Sequence, residues 1–343
     1  MKLLNDLDVL PTQAPSTTIT HERARRSVIA RSVLVGSALL AVSLAGCNDS
    51  GQSGSSTPPN GGANPGTGSV RQEDVDILHF LLTFKYLEAE FFSQAAFGVG
   101  LPDALLGRIG QRGDVVGPRL VNFSSAAIAA QVREIAFDKI DQISVIRQLL
   151  FPIPQSDPTL DTTVARPAID LAGSQNGAFS QMARRAGIVS EAASFDPYLS
   201  DDNFLLSSFF LSDVAVGLCK QLIGKVQQQA YAGILAGILG CDSYHAASIR
   251  FNLYRAISKN PDLSRQIDAV CRLRDTLAGT RGDQGVVDTA SKPNLSPTDG
   301  SGLVYARTPG QVLNILYLNS GSVQMGGFFP AGINANIRKS GSQ

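Results

Sequence analysis

The chain has 343 residues, with 29 basic against 29 acidic side chains, 43% hydrophobic and 17% charged content, four Cys, three His and no Trp. That length allows one large domain or two ordinary ones. The balanced charge excludes a typical nucleic-acid binder, the apolar content excludes global disorder, and four cysteines are too few for a disulfide scaffold.

Residues 1–46 read as an export signal. Arg25-Arg26 is followed by hydrophobics, and an apolar stretch from Val33 to Leu44 ends in Leu44-Ala45-Gly46-Cys47. This pattern is similar to a bacterial lipoprotein signal with Cys47 as the lipid-attachment residue, and the arginine pair is similar to a twin-arginine signal. The apolar run is shorter than the roughly 20 residues a spanning helix needs. Acyl chains on Cys47 would hold the protein on a bacterial membrane, in the periplasm or cell envelope. After Cys47, residues 48–70 are nearly all Gly, Ser, Pro, Asn and Thr with a single charge at Asp49, so 47–70 has the composition of a flexible tether spanning about 25–30 Å. Loss of Cys47 to lipid leaves Cys219, Cys241 and Cys271, an odd number, so at least one is expected as a free thiol.

Four long amphipathic helices follow. The first, Asp74–Phe97, carries Ile77, Leu81, Phe84, Glu88, Phe91 and Ala95 on one face. Glu88 interrupts that stripe, whereas Glu90 falls on a face with Asp76 and Thr83 and is expected to be solvated. The second, about Ser125–Leu150, has Lys139 and Gln142 in its stripe and is stopped by Pro152 and Pro154. The third runs from about Asn203 to Ile223, capped by Asp201, Asp202 or Asn203, and places Ser212 among its apolar residues. The fourth, about Lys225–Ile257, places Asp242 and His245 in its stripe. No stretch of this core reads as strand. Four such helices with one long connection, 151–202, between the second and third predict an all-α, ferritin-like four-helix bundle with one crossover.

The polar interruptions occupy the layout of a di-iron site, in which two helices give one Glu each and two give Glu-x-x-His. Glu88 and His245 match by type, and Asp242 is one methylene short. Lys139, Gln142 and Ser212 stand where two Glu and a His would be, so the site reads as degenerate. His79 lies nine residues before Glu88, half a turn away round the helix, and does not join. Lys139 is expected to form a buried ion pair with Glu88 or Asp242. The alternative is one iron or manganese ion held by Glu88, Asp242 and His245.

Pro261 opens a fifth helix through about Leu277, ended by Gly279, and 281–307 reads as loop. Thr308-Pro309 starts a short helix. Gly326-Gly327-Phe328-Phe329-Pro330 reads as a turn whose two aromatics plug the bundle surface. The organisation expected is therefore signal 1–46, tether 47–70, bundle 71–260 and a C-terminal extension 261–343 packed on the bundle. There is no phosphate-binding loop, no zinc-type cysteine pair and no Gly-x-Ser-x-Gly elbow.

The runs Asp76-Ile77-Leu78-His79-Phe80-Leu81-Leu82, Tyr86-Leu87-Glu88-Ala89-Glu90-Phe91-Phe92, Arg166-Pro167-Ala168-Ile169-Asp170-Leu171, Tyr244-His245-Ala246 and Gly326-Gly327-Phe328-Phe329-Pro330 carry a further signal. Over 71–338 the chain resembles the ferritin-like domain of exported bacterial proteins and of plant desiccation-related proteins. The resemblance implies a ferritin-like fold and a link to desiccation or envelope stress, without a settled reaction. The reading is a membrane-anchored structural or binding module with a degenerate di-iron site, no catalytic residues and no nucleic-acid partner.

Overall fold

The fold is a computed structural model that describes residues 71–150, 161–289 and 291–341. The signal, Cys47, the tether and Pro152/Pro154 lie outside the described residues. Seven α-helices are described: α1 Gln72–Phe97, α2 Ala126–Leu150, α3 Ala178–Arg185, α4 Asp201–Ile223, α5 Gln229–Ile257, α6 Asp262–Ala278 and α7 Pro309–Leu316. The all-α bundle is as expected, with α1 packed mainly on α2 and α4 mainly on α5.

Two features escaped the periodicity. A pair of two-residue strands, β1 Val115–Val116 and β2 Ile169–Asp170, run parallel with Val115 opposite Ile169. They are too short to show a period. The crossover also contains α3, whose eight residues make about two turns.

The helix ends follow local chemistry. Ser200, rather than Asp201, Asp202 or Asn203, caps α4, its hydroxyl accepting from the Asn203 amide at 3.2 Å. Asp201 is diverted to accept from the backbone amides of Ser124 and Ser125. The Asp74 carboxylate, in the first turn of α1, accepts from the amides of Gln227 and Gln228 and so serves the start of α5. Thr308 makes a full capping box with Gln311 at α7. Gly279 closes α6 in the left-handed region, at φ 65°.

α1 and α4 are buried almost all round, and α2 and α5 chiefly on one face. The added cover for α1 comes from the crossover and from the connection between α1 and α2. Arg166 reaches Glu90, and the Tyr86 hydroxyl donates to the carbonyls of Leu105 and Val164 at 3.0 and 3.2 Å. Glu90 is therefore fully buried, not solvated as its helix face alone suggested. Its carboxyl is raised by burial, with Arg166 pulling the other way.

The C-terminal segment closes the other side. Phe328 is fully buried, stacking on Phe210 at 5.6 Å and meeting Phe179 edge-on at 4.9 Å. Gly327 permits this turn: at φ 45° its absent Cβ would lie 2.4 Å from the Leu316 carbonyl oxygen. A second buried network ties α6 and the following loop to the bundle. Asp213 accepts from Arg250 at 2.8 Å and Arg274 at 3.1 Å, and Arg274 also pairs with Asp283 at 2.9 Å. Both guanidinium groups lie over the Phe209 ring, at 5.3 and 4.5 Å from its centroid.

Candidate functional site

The middles of three of the four long helices, α1, α2 and α5, contribute polar groups to one place in the bundle. From α1 come Lys85 and Glu88, three residues apart and so on one face. From α2 comes Lys139, with Gln142 one turn later. From α5 comes Asp242. Glu88, Lys85, Lys139 and Asp242 are all no more than 1% exposed.

The four charges close into a ring. Lys85 Nζ lies 2.8 Å from Glu88 Oε2 and 2.5 Å from Asp242 Oδ2. Lys139 Nζ lies 2.7 Å from Asp242 Oδ1 and 2.8 Å from Glu88 Oε1. The last contact is off the line of a hydrogen bond and is a charge contact only. Gln142 donates to Asp242 Oδ1 at 3.1 Å, and the Cys219 thiol points at Oδ2 from 3.6 Å. The expected pairing of Lys139 with Glu88 or Asp242 is thus with both. Lys85 was missed, although its position three residues before Glu88 in the same stripe was a usable signal.

Opposed effects set the ionisation. Burial favours a neutral Lys85 amine, but the carboxylates of Asp242 and Glu88 push its pKa well above the usual lysine range. Burial likewise favours a protonated Asp242, but the ammoniums of Lys139 and Lys85 hold it well below the usual carboxylate range. The ring is two cations and two anions, neutral as a set. Burial pushes the Cys219 thiol up, so it stays protonated there.

The remaining expected site residues are placed as follows. Ser212 is buried and its hydroxyl has no hydrogen-bond partner, as is true of the Gln142 carbonyl oxygen. His79 faces away, accepting from or donating to nothing in the ring; its Nε2 meets the Thr162 carbonyl at 3.0 Å. His245 also departs from expectation. Its Nε2 lies 3.0 Å from Asp138 Oδ2 and 3.6 Å from Cys241 Sγ, so the structure brings Glu88 to Asp242 but does not add His245 to them. Among the described residues, the one set of three His, Cys or carboxylate side chains with ligand atoms within 4.8 Å of one another is Asp138, Cys241 and His245.

The ferritin-like domain profile matches residues 73–255, spanning α1 to the end of α5. The chain belongs to the ferritin-like domain family. Among its relatives, a protein named ferritin-like catalase Nec2, from Nesocodon mauritianus, is 26% identical over 294 residues, covering 80% of this chain and 87% of the relative. A protein named desiccation-related protein PCC13-62, from Craterostigma plantagineum, is 28% identical over 265 residues, covering 71% and 77%. No solved structure matches significantly. One of these two relatives is thus named for a catalase and the other for desiccation, and what they share with this chain is the ferritin-like domain.

The fold often holds two metal ions, and the central residues do not fit such a pair. A di-iron centre draws on four Glu and two His. The ring supplies two carboxylates and no imidazole, and two ammonium groups lie within 2.8 Å of those carboxylates. Cations fixed there oppose any further cation on the same oxygens.

Proposed function

We propose that this protein is an exported, membrane-anchored lipoprotein that serves as a stress-related structural or binding module rather than as a di-iron oxidase. The observation that carries the reading is the ion ring: Lys85 and Lys139 occupy both sides of the Glu88–Asp242 pair with no exposed charge. A core of this kind holds α1, α2 and α5 in register and leaves neither Glu88 nor Asp242 free to ligate a redox metal. The anchor rests on Leu44-Ala45-Gly46-Cys47 and the polar tether after it.

The relative named a catalase makes hydrogen peroxide the substrate to try. Purified protein is expected to contain well under one equivalent of iron or manganese and to leave peroxide unconsumed. Near-stoichiometric iron or manganese, lost in Glu88→Gln, together with peroxide turnover, would overturn the reading in favour of a metal protein. Cys47→Ser is expected to move the protein from the membrane fraction to the soluble fraction. Unchanged membrane association would sink the anchor.

A further inference from the structure

Asp138 and Cys241 each precede a member of the ion ring by one residue, Lys139 on α2 and Asp242 on α5. One residue is 100° of helix rotation. The step turns both side chains out of the core into the seam between α2 and α5, where His245 joins from the next turn of α5. The cluster is reachable: the Asp138 side chain is 26% exposed and that of His245 10%.

The three ligand atoms form a triangle with edges of 3.0 Å (His245 Nε2 to Asp138 Oδ2), 3.6 Å (His245 Nε2 to Cys241 Sγ) and 3.8 Å (Cys241 Sγ to Asp138 Oδ2). Tetrahedral zinc, with bonds of about 2.0–2.1 Å to nitrogen, about 2.0–2.2 Å to oxygen and about 2.3 Å to sulfur, places these pairs about 3.4, 3.6 and 3.6 Å apart. Each edge lies within about 0.4 Å of that figure. Cys241 and His245, four apart on one helix, are spaced to share an ion on a single face.

We propose that Asp138, Cys241 and His245 form a binding site for a single zinc-type divalent cation, with water in the fourth position. It is separate from the central ring and independent of whether that ring is inert. Binding breaks the His245–Asp138 hydrogen bond, moves the imidazole proton from Nε2 to Nδ1, and releases the Cys241 thiol proton to solvent. Nδ1 is buried with no hydrogen-bond partner, so no second group fixes the ring, and the site should exchange its ion readily. A thiolate ligand selects zinc or cobalt over manganese.

The test is cobalt(II) titration of the full-length protein, followed by zinc competition. One equivalent of cobalt is expected to produce a thiolate-to-cobalt charge-transfer band and the strong visible bands of tetrahedral coordination. Zinc should abolish both, and excess manganese should not. Cys241→Ser should remove the charge-transfer band, and His245→Ala or Asp138→Asn should weaken binding at least about tenfold. Circular dichroism reports whether each variant is folded. Should His245→Ala unfold, the near-isosteric Cys241→Ser decides. Cobalt bound without a thiolate band, a spectrum unchanged in Cys241→Ser (as from Cys47), or less than stoichiometric uptake by folded protein would overturn the site.

Discussion

Lys85 and Lys139 differ from surface lysines in having no water to fall back on. Each is held by both Glu88 and Asp242. Removing one leaves an excess anion in the core, which should cost about 3–5 kcal/mol. Lys139→Met is therefore expected to lower stability by that amount in urea denaturation. The pair Lys139→Met with Glu88→Gln restores neutrality and should cost clearly less than the sum of the two single changes. Strict additivity would refute the coupling. The pH dependence follows from the same groups. Asp242 has a depressed folded pKa, so its contribution is complete above its unfolded value, about pH 4, and is lost as the pH falls through the folded value. Lys85 has a raised one, so its contribution is complete below about pH 10.4 and is lost as the pH rises through the folded value. Urea midpoints should fall at both extremes, and the neutral pair Lys85→Met with Asp242→Asn should flatten both limbs. Much of this centre was legible, because Glu88, Lys139, Gln142 and Asp242 break apolar stripes at helical spacing. His245 was not, because periodicity fixes a helix face but not which neighbour a side chain on its edge will meet.

The helices show the same division. α2 and α5 bury one face and read clearly as amphipathic. α4 is apolar enough and long enough to pass for a membrane span, yet it is an interior helix covered on all sides. α1 is similar, and that is why Glu90 was misplaced: an angle on a helical wheel says nothing of the crossover that later covers it. Caps are local, and their cost is correspondingly limited. Ser200→Ala and Thr308→Ala should each destabilise by about 1 kcal/mol. The two lie on separate helices, so the double variant should show the sum in a thermal melt. β1 and β2 gave no sign because the tertiary setting, rather than a repeating pattern, makes them; α3 does bury one face, Phe179, Met182 and Ala183, but over only eight residues.

Over the molecule as a whole, the C-terminal segment is part of the core. Phe328 and Phe329 are at most 1% exposed, and the Asp213–Arg274–Asp283 network joins α4 to α6 and the loop beyond it. Phe328→Ala should cost about 3–5 kcal/mol, measured as a lowered urea midpoint with an unchanged slope. A change within about 1 kcal/mol of wild type would mean the turn is peripheral. The four-helix topology could be read from helix lengths and one long connection. The depth of this C-terminal plug could not, beyond the presence of two adjacent aromatics in a glycine-rich turn.

The ion ring also constrains the mutational routes open to the sequence. Its two lysines balance its two acids, so exchanging either lysine for a carboxylate leaves three negative groups facing one positive group in a dry interior. Changing both lysines to carboxylates leaves four negative groups that only bound cations could balance, and an uncharged residue at one lysine still leaves one anion in excess. Each single step from this core towards an acid-rich one therefore meets an uncompensated buried charge, and a bound cation would have to arrive with the carboxylates that need it.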